Sequence, residues 1–141
     1  MKTILFTTLL LLTMSCSSSK KDITMDFNTI YSASYGGNEE KGYLIIDNKD
    51  DFIKELERLE ITEFVPNISE INFNKNNIII LHLGQKSTGG FSIDIDKIEL
   101  LENELVVYSK IITSKEKYVT MALTNPYCIS IIPKVEKYNV K

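Results

Sequence analysis

Residues 91–112 read FSIDIDKIELLENELVVYSKII, and this stretch decides the fold. Apolar residues at positions 91, 93 and 95 alternate with polar ones, which is the pattern of a strand with one buried face. The alternation continues one place out of phase after Lys97, and such a slip predicts a β-bulge. Glu102 and Asn103 predict a tight turn, so residues 105–112 return beside the first strand. The stretch therefore predicts a long antiparallel β-hairpin.

The rest of the chain predicts more strands around a single helix. Residues 78–83 read IIILHL, which is apolar on both faces and favours a central strand. Positions 52, 53, 56 and 59 form one apolar stripe on a helix predicted over 48–59, with Asn48 or Asp50 as its N-cap. Further strands are predicted at 27–33, 42–46, 119–123, 127–132 and 135–140. The fold class is mainly β (α+β): an antiparallel, sandwich-like domain over residues 27–141 with one α-helix packed against it.

The N-terminus has the composition of a targeting segment. Lys2 precedes an apolar run of about a dozen residues, too short for the ~20 that span a membrane. Residues 13–16, Thr-Met-Ser-Cys, resemble the lipobox of a bacterial lipoprotein signal peptide, although Thr13 stands where Leu is usual. The resemblance implies a signal peptide at 1–15, acylation of Cys16 (diacylglyceryl and palmitate) and a flexible tether at 16–26. The expected location is the cell envelope, with the lipid in a bacterial membrane.

Composition argues against several classes of protein. The net charge is −3, and the basic residues do not cluster, so no nucleic-acid partner is expected. One His and two Cys are too few for a zinc site, and no glycine pattern for phosphates or dinucleotides is present. We therefore expect no metal and no small-molecule cofactor. Cys128 lies in an apolar run, which favours a small buried side chain over a reactive thiol.

Two features have the residue types of catalytic groups, but each has a simpler explanation. His82 shares a strand phase with Ile78 and Ile80, which favours a structural histidine. A hydrolase built around His82 stays an alternative without an obvious substrate. Asp94 and Asp96 lie on the polar face of a predicted strand, where solvation is their expected role. The sequence thus predicts no enzyme and no catalytic residue.

A glycine-containing loop at 84–91, GQKSTGGF, follows the central strand. Glycines suit either a tight connection or an open loop on which another chain's backbone docks, and both alternatives stay open. Aromatic residues beside the loop are candidate anchors for a protein partner. The candidate partner-binding residues are Lys86, Ser87, Thr88, Gly89, Gly90 and Phe91, with Asn125, Pro126 and Tyr127 from a neighbouring turn.

The loop and the residues downstream carry a resemblance to a known family. Thr88-Gly89-Gly90-Phe91, then Pro126-Tyr127, then Ile-Ile-Pro at 131–133, are similar to the C-terminal domain of the protease complex subunit PrcB family over about 42–134. Residues 113–118 depart from it, being rich in Ser and Lys where the family has Pro and Gly. The resemblance implies an anchored, non-catalytic accessory protein that assembles or stabilises an exported protease complex.

Two other functions are compatible with the sequence. Thr-Gly-Gly-Phe at 88–91 is loosely similar to the Thr-Thr-Gly-Tyr/Phe loop of chagasin-like peptidase inhibitors, whose other motifs are absent. A structural envelope lipoprotein with no link to a protease is the third possibility.

Overall fold

Eight strands and one α-helix are present in the part of the chain that the computed structural model describes, residues 23–65, 67–116 and 118–141. In chain order the elements are β1 (Ile23–Met25), β2 (Asn28–Ala33), β3 (Gly42–Ile46), α1 (Lys49–Arg58), 3₁₀ turns at Thr62–Phe64 and Ile68–Glu70, β4 (Asn76–His82), β5 (Phe91–Leu101), β6 (Glu104–Thr113), β7 (Tyr127–Pro133) and β8 (Lys137–Val140).

The strands form two four-stranded sheets. One sheet has the order β1-β5-β6-β8, and the other has the order β2-β7-β4-β3. All pairs are antiparallel except β6 with β8. The β5–β6 hairpin is the long one that the sequence predicts, and its register shifts between Ile95 and Lys97, which confirms the predicted bulge.

Two hydrophobic cores lie on opposite faces of the β2-β7-β4-β3 sheet. Ile79 and Leu81 of β4 face the other sheet, whereas Ile78 and Ile80 face the helix. All four are at most 1% exposed, so β4 is a central strand buried on both faces, as predicted. The result is a sandwich of two sheets with α1 as a third, outer layer. The predicted α+β sandwich with one helix is confirmed.

Helix α1 forms where the apolar stripe and the N-cap residue both predict a helix. The side chain of Asn48 accepts a hydrogen bond of 2.9 Å from the backbone N–H of Asp51, which satisfies one of the free donors of the first turn. Phe52 and Leu56 are fully buried against the sheet, and Leu59 is the C-cap. No helix among the described residues is long and apolar enough to cross a membrane.

Two local predictions are wrong. Residues 119–123 do not form a strand, because both faces of this segment are exposed. Separate contacts join it to residues 86–89: a hydrogen bond from Gly89 to Thr120, and an isolated bridge between Lys86 and the following residue Thr124. Part of the predicted tether is structured, because Ile23–Met25 pair with the end of β5 as β1. The predicted signal peptide and Cys16 lie outside the described residues.

Candidate partner-binding surface

The glycine loop after β4 lies against the segment that leads into β7. The backbones of Lys86 and Thr124 exchange two hydrogen bonds, of 2.8 and 2.9 Å. The N–H of Gly89 donates to the carbonyl of Thr120 at 2.8 Å, so the two segments run antiparallel. Asn125 follows directly, and the structure therefore brings together the two sequence segments that were predicted to form one surface.

The backbone of the loop is engaged within the molecule. Gln85 donates to Glu39 at 2.8 Å, and the carbonyl of Gly90 accepts from the N–H of Ser114 at 2.7 Å. The buried hydroxyl of Thr124 donates to the carbonyl of Thr88 at 2.9 Å. These bonds favour the tight connection over the open loop for another chain's backbone.

Glycine is required in this loop by the close approach of the opposing segment. A Cβ on Gly90 would lie 2.7 Å from Cγ1 of Val119, and the φ of Gly90 is +83°, a region that other residues rarely adopt. A Cβ on Gly89 would collide with Oγ1 of Thr120. The two glycines therefore hold the loop and the segment together.

The predicted partner-binding residues differ in what they expose. Ser87 is exposed, and Lys86, Thr88, Gly90, Phe91 and Asn125 are half-buried. Gly89 and Pro126 are buried. Tyr127 is 1% exposed and packs in the core beside α1, because its position in β7 faces the helix. The structure thus corrects the assignment of Tyr127 as an aromatic anchor, and only part of the predicted set can present side chains to a partner.

Several exposed apolar side chains at this end lie outside the predicted set. We call them the apolar tip, and they are Ile111, Ile112, Val119, Met121 and Leu123, exposed by 51, 45, 39, 87 and 60%. The sequence carries a signal for them, since residues 118–133 contain no charge and the alternation at 119–123 is clear. That alternation predicted a strand with one buried face, so the sequence did not predict that these side chains are exposed.

Basic side chains accompany the apolar tip. Lys110 and Lys115 are exposed beside it, together with Glu116, and Lys86 is half-buried in the adjoining loop. The Nζ of Lys110 lies 3.7 Å from Oδ1 of Asp96, an exposed ion pair of little energetic weight. Asp96 is therefore solvated, as predicted.

The apolar tip lies at the end of the sandwich opposite to the point where β1 begins. Ile23 pairs with Leu100 near the end of β5, whereas Phe91 at the start of β5 pairs with Thr113. At about 3.3 Å per residue, the two ends of β5 are roughly 30 Å apart. The chain thus enters the described domain far from the tip.

His82 lies beneath this end of the molecule as a buried core residue. It is 1% exposed, its Nδ1 accepts a hydrogen bond of 3.1 Å from the N–H of Asn38, and its ring stacks on Tyr127 with 5.9 Å between centroids. Burial and the nearby charge of Arg58 lower the pKa of His82. Burial also raises the pKa of Tyr127 to about 12. This is the structural histidine that the sequence predicts.

Asp94 departs from its predicted role. Its carboxylate is half-buried and accepts hydrogen bonds of 2.8 Å from the hydroxyl of Thr29 and from the N–H of Ile95. The hydroxyl of Thr29 also lies 2.9 Å from that of Ser130. Asp94 therefore connects the two sheets. No three His, Cys, Asp or Glu side chains gather as a metal site within the described residues.

Comparison with known proteins found a family match for one part of the chain. A search of curated proteins and a search of solved structures each gave no match. Residues 78–133 match the family model described as PrcB C-terminal. This range runs from β4 through the glycine loop, the β5–β6 hairpin and the apolar tip to the end of β7. The predicted resemblance to the PrcB C-terminal family is confirmed over this range.

Proposed function

We propose that this protein is a non-catalytic lipoprotein of the cell envelope that binds a protein partner of the exported-peptidase class through the apolar tip. The peptidase partner follows from the family resemblance, and the binding role follows from the surface. The lipid on Cys16, the envelope location and the absence of catalysis are parts of the same proposal.

The exposure of the apolar tip is the observation that carries the proposal. Met121 and Leu123 are 87% and 60% exposed, although a soluble protein gains free energy by burying such side chains, at about 25 cal/mol per Å². Several exposed apolar side chains at one end of a folded domain are typical of an interaction site. The neighbouring loop is held rigid by its internal hydrogen bonds, so the surface is preorganised for binding.

The position of the tip supports a protein partner over the membrane of the anchor. Residues 17–22 separate Cys16 from Ile23, a span of roughly 20 Å when extended. The tip lies roughly 30 Å farther along the sandwich. A domain anchored through Cys16 could therefore place its apolar tip up to roughly 50 Å from the bilayer, within reach of a protein partner.

Charge defines the complementary surface on the partner. Two basic residues, Lys110 and Lys115, are exposed near the apolar tip, and one acidic residue, Glu116, is exposed beside them. We expect the partner to offer an apolar depression with acidic residues at its rim, since complementary potentials orient the two proteins on encounter.

The test is site-specific crosslinking in intact cells. A photoreactive amino acid replaces Met121 in one variant and Phe64 in the control, because Phe64 is 65% exposed but lies in the 3₁₀ turn after α1. We expect one protein, with peptidase sequence features, to be captured from position 121 and not from position 64. Equal capture at both positions, or none at position 121, would overturn the assignment of the tip.

The inhibitor alternative is distinguished by activity. Once the partner is purified, an accessory subunit leaves its turnover unchanged or lengthens its lifetime, whereas a chagasin-like inhibitor suppresses turnover. The internal hydrogen bonds of residues 86–90 leave little of that loop's backbone for insertion into a peptidase cleft. Mass spectrometry of the native protein tests acylation at Cys16, and an unacylated N-terminus would contradict the anchor.

A further inference from the structure

Strand β3 is a sheet edge without the usual protection. Among the described residues it pairs only with β4, and its register is continuous. Its sequence, Gly-Tyr-Leu-Ile-Ile, has no charge and no proline. The other edges are blunted, since β1 and β8 have three and four residues and β2 contains a register shift. Proteins normally block an exposed apolar edge, so an open one indicates a pairing site.

A groove runs along the helix side of this edge. Leu44 and Ile46 of β3 stand opposite Ile80 and Ile78, on the face that α1 covers. The groove has a volume of about 400 Å³, and its far wall is α1. Its lining residues are Leu44, Ile45, Ile46, Asp47, Asp51, Lys54, Glu55 and Arg58. The helix charges are paired, Lys54 with Asp51 at 2.9 Å and Arg58 with Glu55 at 2.6 Å.

A second cavity opens on the other face of the same edge. It has a volume of about 220 Å³ and lies between β3 and the β8 side of the opposite sheet. Its walls are apolar at Tyr43, Leu81, Ile93 and Val140. Lys41 also lines it, whereas the ammonium group of Lys141 lies outside the cavity over the ring of Tyr108, and no carboxylate side chain is among the lining residues. The cavity is therefore complementary to an apolar side chain next to an acidic group.

We propose that β3 is a docking site for an extended peptide segment of a partner, which adds to the sheet as a fifth strand. Its backbone would pair with the open edge of β3, and successive side chains would point alternately into the groove and the cavity. The segment would be about five residues long, with apolar side chains on both faces and an acidic residue toward Lys41. This site is separate from the apolar tip and does not rest on the proposed function.

The probe is a phage-displayed library of random seven-residue peptides, panned against the full-length protein. We expect enrichment of peptides with apolar residues on both faces and an Asp or Glu, and slowed amide exchange at residues 42–46 when a synthetic peptide of the enriched sequence is added. Leu44→Lys, a change at a residue that is 40% exposed, should weaken binding at least tenfold. Ile23→Lys is the matched control, since Ile23 is 50% exposed on an edge of the other sheet and should leave binding unchanged.

Tyr43→Lys tests the opposite face with a side chain that is 48% exposed, and it should also weaken binding if the Leu44 variant fails to fold. Three outcomes would overturn the proposal. The first is that the library enriches no sequence, and the second is that the selected peptides bind Leu44→Lys and Tyr43→Lys as tightly as the wild type. The third is that sedimentation shows a dimer that Leu44→Lys dissociates. The last outcome would assign the edge to a second copy of this chain.

Discussion

The Nδ1 atom of His82 accepts a hydrogen bond, 3.1 Å long, from the backbone N–H of Asn38. An accepting Nδ1 carries no proton, so the neutral imidazole is the form that this bond requires. Beside it, the N–H of Gly37 donates to the carbonyl of Asn125 at 2.9 Å. The neutral ring of His82 thus helps to hold the loop before β3 against the turn that leads into β7.

We expect the stability of the protein to fall as the pH drops below about 6.5, the ordinary pKa of histidine. Burial, then the charge of Arg58, lowers the pKa of His82 in the folded state, while Glu55 opposes this shift. The unfolded chain therefore takes up the proton first, and His82 contributes its full stability above pH 6.5 and loses it toward the lower folded-state pKa. The free energy of unfolding, measured by urea titration between pH 8 and 5, checks this.

His82→Asn is the control for that titration. The amide oxygen of asparagine can accept the hydrogen bond from Asn38, but the side chain does not titrate. Below pH 6.5, the slope of the free energy of unfolding against pH should be smaller in the variant than in the wild type. The difference should be up to about 1.4 kcal/mol per pH unit, the value for one proton. An unchanged slope would show that other groups dominate the acid response.

Gly90→Ala should destabilise the protein by about 1–3 kcal/mol, because alanine is strained at positive φ. The φ of Gly90 is +83°, and the new Cβ would lie 2.7 Å from Cγ1 of Val119. Gly42→Ala is the matched control, since a Cβ there meets nothing within 4 Å and its φ is not positive. Urea unfolding of both variants measures the difference. Equal stabilities would mean that the loop and residues 119–120 do not depend on their close packing.

Cys128 should resist alkylation in the folded protein. Its side chain is fully buried, and burial raises its pKa to about 12, so the thiolate that reacts with alkylating agents is scarce at pH 8. Iodoacetamide followed by peptide mapping should find residue 128 unmodified until urea unfolds the chain. Peptide mapping separates this signal from position 16. Rapid modification under native conditions would contradict the packing of β7.

The elements that the sequence predicted well are those in which local pattern and burial agree. The β5–β6 hairpin has an alternation, a phase slip and a turn, and each corresponds to a feature of the structure. Helix α1 was predicted equally well, because its apolar stripe and the N-cap residue Asn48 indicate the same starting point. Cys128 was predicted from its apolar neighbours alone, and it is buried.

The wrong predictions concern segments whose structure is determined by contacts with distant residues and not by the local sequence pattern. The alternation at 119–123 looks like a strand, but Gly89 pairs with this segment at one point and no sheet covers its apolar side chains. Tyr127 resembled an anchor because it follows a turn, yet its phase in β7 directs it to the helix. The groove and cavity beside β3 depend on how α1 and β8 are placed, which no short stretch of sequence encodes.

Replacing the two most exposed residues of the apolar tip should change the surface of the protein and leave its stability unchanged. Met121→Ser combined with Leu123→Ser replaces side chains that are 87% and 60% exposed, so the free energy of unfolding should move by less than about 0.5 kcal/mol. Retention on a hydrophobic-interaction column should decrease. Phe64→Ser, at 65% exposure, gives the effect of a single exposed apolar residue elsewhere. If the double variant unfolds more easily by 2 kcal/mol or more, these side chains pack against the domain in solution, and the apolar tip is then part of the core and not a binding surface.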